Sequence, residues 1–236
     1  LYHLAKWNNI MKKVSTQIIF LVLILISCPT ISFSQEQSKS LLFRTETKAF
    51  HSNLLRQDFE IKISLPVDYY KNEMSSYPSL YCTDGNRNFN LVSNIVEILT
   101  FPEASIPQML VVGICYKISG LEDWGAWRNR DLLPTNDSAV DKKWESVLAR
   151  MSGRNDIVSK SGQASKFLEF MSAELIPYIE MNYRVKKNDR ALLGYSYGGL
   201  FALYTMFNYP EIFQRYYAGS PSLNWDNKVI FKYEKE

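Results

Sequence analysis

Histidine is nearly missing from this chain of 236 residues: only His3 and His51 occur, and both precede Ser196. Cysteine is scarce as well. Cys82 and Cys115 sit inside apolar, strand-like runs, where a thiol behaves as a small buried hydrophobe, and a disulfide is the alternative reading for an exported protein. No run of Lys and Arg forms the electrostatic footprint that nucleic acid requires, which excludes that class of partner. No apolar stretch reaches the about 20 residues of a permanent membrane-spanning helix, and no internal repeat or low-complexity tract is present. What is abundant, 46% hydrophobic and 14% aromatic residues, suffices for one sizeable globular core.

The N-terminus is processing sequence. Met11-Lys12-Lys13 precedes an apolar run from Ile18 to Ile26 and a short polar stretch ending Ser32-Phe33-Ser34, the pattern of a secretory signal peptide. Residues 1–34 are therefore set aside as upstream residues and leader, and 35–236 as the folded domain. Cleavage after Ser34 releases a soluble chain starting at Gln35. The alternative is a lipobox at Leu25-Ile26-Ser27-Cys28, with Cys28 as a candidate lipid anchor. The expected location is periplasmic or secreted, or membrane-tethered if Cys28 is acylated. Removing residues 1–34 takes three lysines and no acid, leaving 24 basic against 24 acidic residues. The chain's apparent basicity thus belongs mostly to the leader.

The pattern from Thr45 to Pro66 predicts two strands, the second alternating Phe59, Ile61, Ile63 and Leu65 with polar neighbours, as a strand buried on one face does. Ser79–Thr83 and Met109–Tyr116 are dense apolar runs suited to strands buried on both faces of a parallel sheet. Leu91, Ile95 and Leu99 fall on one side of a helix between them. Ala164, Phe167, Leu168, Met171, Leu175 and Ile179 repeat at helical spacing, with Pro177 as a kink or a fresh turn. Strand Ala191–Gly194, a helix from near Gly199 and strand Tyr216–Gly219 follow. Alternating strands and helices predict an α/β fold with a mostly parallel sheet and helices on both faces. The polar stretch 136–161 reads as an insertion with one short helix, either a surface excursion or a lid.

Gly194-Tyr195-Ser196-Tyr197-Gly198-Gly199 fits G-x-S-x-G between a strand and a helix. A strand-to-helix turn this tight gives the serine strained dihedrals, and side chains two residues either side collide unless small. Gly194 and Gly198 meet that demand. Ser196 is the candidate nucleophile, with the Tyr197 amide as one oxyanion donor and, from the loop after an earlier strand at Asp84-Gly85-Asn86, the Asn86 amide as the other. Arg128 and Arg130 are candidates for binding an acidic or catecholate substrate, against a plain salt bridge with Asp131. Trp124, Trp127 and Phe89 are candidate pocket walls, against local packing.

Residues from about 45 to 227 resemble the esterase-D-like family of α/β hydrolases, which includes siderophore esterases, S-formylglutathione hydrolase, feruloyl esterases and mycolyltransferases. The resemblance rests on Tyr77-Pro78-Ser79-Leu80-Tyr81 leading to Asp84-Gly85-Asn86, on Val111-Val112-Gly113-Ile114, on Arg130-Asp131-Leu132-Leu133-Pro134, on Glu174-Leu175-Ile176-Pro177-Tyr178-Ile179, on the elbow, and on Ser220-Pro221-Ser222. It implies a Ser196 acyl-enzyme acting on small or medium-sized esters, either siderophore lactones or acyl or feruloyl esters, with no metal or organic cofactor. A non-catalytic binding protein and an acyltransferase are the rival readings.

The family's order of Ser, acid, His is not completed here. His51 ends a strand-like stretch, and Asp226 lies in a segment resembling the helix after the sixth strand, so the catalytic His and acid are expected outside the chain. The absent start methionine, the ending at Glu236 and the absent histidine together predict a piece of a longer protein. The last strands of the sheet would then follow within roughly 40 to 80 further residues. The chain alone is expected to be poorly soluble and nearly inactive.

Overall fold

A computed structural model describes residues 44–102 and 104–234. The expected leader, Cys28 and His3 lie outside the described residues. Six strands form one sheet in the order β1-β2-β4-β3-β5-β6: β1 (Thr45–Ser52), β2 (Gln57–Ser64), β3 (Tyr77–Cys82), β4 (Leu110–Tyr116), β5 (Val185–Tyr195) and β6 (Arg215–Gly219). The hairpin β1–β2 is antiparallel and so is β2–β4. β4, β3, β5 and β6 run parallel, so their carboxyl ends open on one edge, where ligands bind in open α/β sheets.

Side-chain alternation divides the interior in two. Phe59, Ile61, Ile63, Tyr81, Val112, Ile114 and Leu192 point into the larger core, which α2 (Leu121–Leu132), α4 (Ala164–Phe170), α5 (Ile176–Asn182) and α6 (Tyr197–Asn208) cover with Leu132, Phe167, Ile179 and Phe201. Leu80, Cys82 and Val111 point the other way, beneath Phe89 and Val92 of α1 (Gly85–Thr100). Helices therefore lie on both faces, as the alternation predicts. The Cys82 and Cys115 thiols are free and buried, and burial raises the pKa of each, that of Cys115 to about 12.

Three sequence readings are sharpened or corrected. The stripe Leu91, Ile95 and Leu99 does not face the sheet: Leu91 is 63% exposed, and the buried face is Phe89, Val92 and Ser93. The cause is Gly113 on β4, where an added Cβ would lie 2.6 Å from the Phe89 ring. The ring fills the space that glycine leaves and so sets the roll of α1.

Of the two readings of Pro177, a kink or a fresh turn, the second matches: α5 opens at Ile176 with the proline in its first turn, directly after a five-residue π segment, Met171–Leu175. Proline has no amide hydrogen to bond four residues back, and a wider turn accommodates the gap.

The insertion's helix is not short. α3 (Ser138–Ser152) runs fifteen residues, capped by the Asp137 side chain at one end and by Gly153 at φ 72° at the other. It packs on α2 through Leu148, which closes over Gly125. Asp141 accepts from the Ser161 amide at 3.0 Å, tying the return segment down.

Candidate active site

The turn from β5 into α6 places Ser196 at φ 59°, ψ −114°, outside the regions comfortable for an L-residue. Neighbouring backbone holds it there. Its amide donates to Gly219 O at 2.9 Å, and its carbonyl accepts from the Leu200 and Ser222 amides at 3.0 and 3.2 Å. A Cβ on Gly194 would lie 2.0 Å from Gly198 O, and one on Gly198 would lie 2.4 Å from Thr83 Oγ1. The two glycines therefore let the strand, the helix and the neighbouring β3 turn approach closely enough for the serine to project. Tyr197 opens α6 directly behind it, and amides in a first helical turn have no intrahelical acceptor, which leaves them free for a developing anion.

The neighbouring β3–α1 turn is built on Asp84, at φ 54°, ψ 39°. The first helical hydrogen bonds of α1 run from the Arg87 and Asn88 amides to Asp84 O, so by helix geometry the amides of Gly85 and Asn86 precede the ladder. The Asn86 side chain has a separate task. Its Nδ2 donates to Tyr116 O at 2.9 Å and its Oδ1 accepts from the Tyr116 amide at 2.8 Å, which fastens the start of α1 to the end of β4.

A cavity of about 340 Å³ opens beside Ser196, lined also by Asp84, Arg87, Asn88, Trp124, Arg128 and Tyr195. This volume suits a small-molecule ligand. Trp124 and Arg128 come from α2, which is not among the elements predicted from the sequence. Their spacing of four residues puts them on one helix face. Arg128 is bidentate with Asp84, at 3.0 and 2.9 Å, and lies 4.8 Å from the centroids of both the Trp124 and Tyr197 rings.

Arg130, two residues on, faces elsewhere because i and i+2 diverge around a helix. It pairs with buried Asp131 at 2.6 Å and donates to Gln57. Burial pushes the Asp131 carboxyl up, and Arg130 beside it pulls the other way. The salt bridge considered for this arginine is thus the arrangement found, and Arg130 does not line the cavity.

Other candidates are dispersed. Phe89 is core beneath α1, and Trp127 packs edge-on to Tyr116 at 5.9 Å. His51 pairs with Asp58 at 2.7 Å on β1, four strands from β5 and so roughly 19 Å away across the sheet. Asp226 lies in the 3₁₀ turn Trp225–Lys232 and does not line the cavity. Residues 136–161 do not contribute to its lining either. The Ser196 hydroxyl has the Ser222 hydroxyl at 3.3 Å, from the Ser220-Pro221-Ser222 landmark. Sequence reasoning missed Arg87 and Asn88 as pocket residues, and the only available signal was their place in the first turn after Asp84-Gly85.

An elbow serine at the carboxyl edge of an α/β sheet, with helix-start amides on two sides and an aromatic and cationic cavity in front, defines an α/β-hydrolase scaffold. The chain belongs to the esterase family, whose model, described as putative esterase, matches residues 52–235. It is 31% identical over 191 residues to the ferri-bacillibactin esterase BesA of Bacillus subtilis (strain 168), a match covering 80% of this chain and 62% of that relative. Among solved structures it is similar to the BES protein from Bacillus cereus, with a TM-score of 0.68, 31% identity and coverage of 82% of this chain and 67% of that one. An IroE-like serine hydrolase from Shewanella oneidensis gives a TM-score of 0.65 at 28% identity, over 80% of this chain and 54% of the other.

Proposed function

We propose that the protein is a serine esterase that cleaves carboxylic esters of small or medium-sized molecules through an acyl-enzyme on Ser196, with siderophore-type esters as the leading substrates. The observation that carries this reading is the clamped Ser196 backbone at φ 59°, ψ −114° beside the about 340 Å³ cavity. Attack by Oγ on the ester carbonyl carbon gives a tetrahedral oxyanion facing the Tyr197 and Asn86 amides. Its collapse expels the alcohol, and water then releases the acid. The substrate preference draws on the similarity to the Bacillus subtilis ferri-bacillibactin esterase.

Each attack requires a proton acceptor for the serine hydroxyl. Among the described residues its partner is the hydroxyl of Ser222, which is no base at neutral pH. The proposal therefore places the acceptor outside the described residues and expects slow turnover from these 236 residues alone. Export belongs to the same proposal and rests on the leader-like residues 11–34. Intact mass of the exported protein checks it: a chain beginning at Gln35 supports the soluble form, and an acylated Cys28 replaces it with a membrane-tethered one.

The decisive measurement is p-nitrophenyl acetate hydrolysis by the chain and by Ser196→Ala, each with imidazole added as an external base. With the imidazole background subtracted, the wild type is expected to exceed the variant by about a hundredfold or more. Equal rates, with unchanged circular dichroism, remove Ser196 as nucleophile.

A further inference from the structure

Beside Ser196, rings and guanidinium groups alternate. Tyr197 lies against Arg128, Arg128 against Trp124, and Trp124 against Arg87, whose Cζ is 5.0 Å from the indole centroid. Cations are attracted to ring faces at these distances, so the series fixes Arg87 relative to the elbow. The two arginines differ in charge balance. Arg128 is matched by Asp84 in a bidentate, nearly dry pair, with side chains 12% and 3% exposed. Arg87 has no carboxylate partner among the described residues.

The cavity is lined by one carboxylate and two guanidinium groups, and with Asp84 and Arg128 cancelling, one positive charge is left over. The cavity beside Ser196 thus offers one unmatched cation, which favours a ligand group carrying an anionic oxygen.

We infer that Arg87 is a specificity-determining residue, selecting esters that carry an anionic oxygen, such as a carboxylate or an ionised phenol, over neutral esters of the same shape. This rests on the reading of the Ser196 cavity as the ester site. Arg87 is exposed, so solvent screens the attraction, and the preference should be modest and salt-sensitive.

Binding tests this without requiring catalysis. Benzoate and benzamide share a shape and differ in charge. Ligand-observed NMR titration of the full chain should give about fivefold tighter binding of benzoate at low salt, lost by about 0.5 M salt. Arg87→Gln should bind both equally and keep the benzamide affinity, which certifies its fold. Arg56→Gln, at the β1–β2 turn, should behave as wild type. Equal affinities in the wild type, or a preference that survives Arg87→Gln or disappears in Arg56→Gln, overturns the inference and leaves the esterase reading standing. If both probes bind without slowing Ser196-dependent hydrolysis, they sit outside the ester site and the inference about Arg87 falls, while the esterase reading stands.

Discussion

Two strand-to-helix turns stand side by side on the carboxyl edge of the sheet, and they solve one backbone problem differently. β3 and β5 are parallel neighbours, with Cys82 opposite Leu193, and each ends on a non-glycine residue at positive φ, 54° at Asp84 and 59° at Ser196. Asp84 has ψ 39°, the ordinary left-handed well that aspartate tolerates. Its side chain stays at home, engaged with Arg128. Ser196 has ψ −114°, where no L-residue is comfortable, and its side chain contributes little to holding it there. The clamp is backbone: Gly219 O, the Leu200 and Ser222 amides, and the missing side chains at 194 and 198. A turn stabilised through its own side chain is structural, whereas one stabilised through its surroundings leaves a side chain free for chemistry.

The largest effect expected from this contrast is at Gly194. An added Cβ meets the Gly198 carbonyl oxygen, carbon and Cα, all backbone, so no rotamer change relieves it. Gly194→Ala should cost more than about 3 kcal/mol or prevent folding. Gly198→Ala meets the Thr83 side chain first, which can give way, and should cost about 1–3 kcal/mol. Urea denaturation ranks the two. Equal costs would mean that the backbone clamp is not what shapes the elbow.

Next in size is Asp84→Asn. It strands the Arg128 guanidinium in a site where it is almost fully buried, at a cost of about 3 kcal/mol. Arg128→Met added to it should recover part of that loss, because it removes the stranded charge while the new amide at position 84 stays buried without its partner. A double-mutant cycle measures this, and the absence of recovery would show that Asp84 acts through its backbone conformation after all.

The two turns were unequally legible. G-x-S-x-G announces its geometry because glycine at both flanks is a steric requirement, while Asp-Gly is an ordinary turn until Arg128 is seen beside it. Arg128 was hard to place because α2 buries Gly125, Ala126, Asn129, Asp131 and Leu132, a small and polar face without the apolar period that reveals helices. The strands were read well where alternation or dense apolar runs marked them. The roll of α1 was not legible because Gly113 lies on another element, and periodicity within a helix carries no information about a hole in the surface beneath it.

The smallest effect expected is also the sharpest test of the contrast. At Ser196 the strain of about 1–3 kcal/mol is borne by any L-residue, so Ser196→Ala should leave stability within about 0.5 kcal/mol of wild type. Ser196→Gly removes the strain, because without a Cβ glycine accepts this part of the map. It also enlarges the unfolded ensemble, which takes back about 0.5–1 kcal/mol. The net gain should be about 1 kcal/mol, read as a higher urea midpoint with an unchanged slope. Asp84→Gly also places glycine at positive φ, yet it should destabilise, because it deletes the partner of Arg128. Opposite signs for the same replacement on neighbouring strands are the outcome that requires strain at one turn and side-chain anchorage at the other. A matching sign would mean that the two turns are held alike.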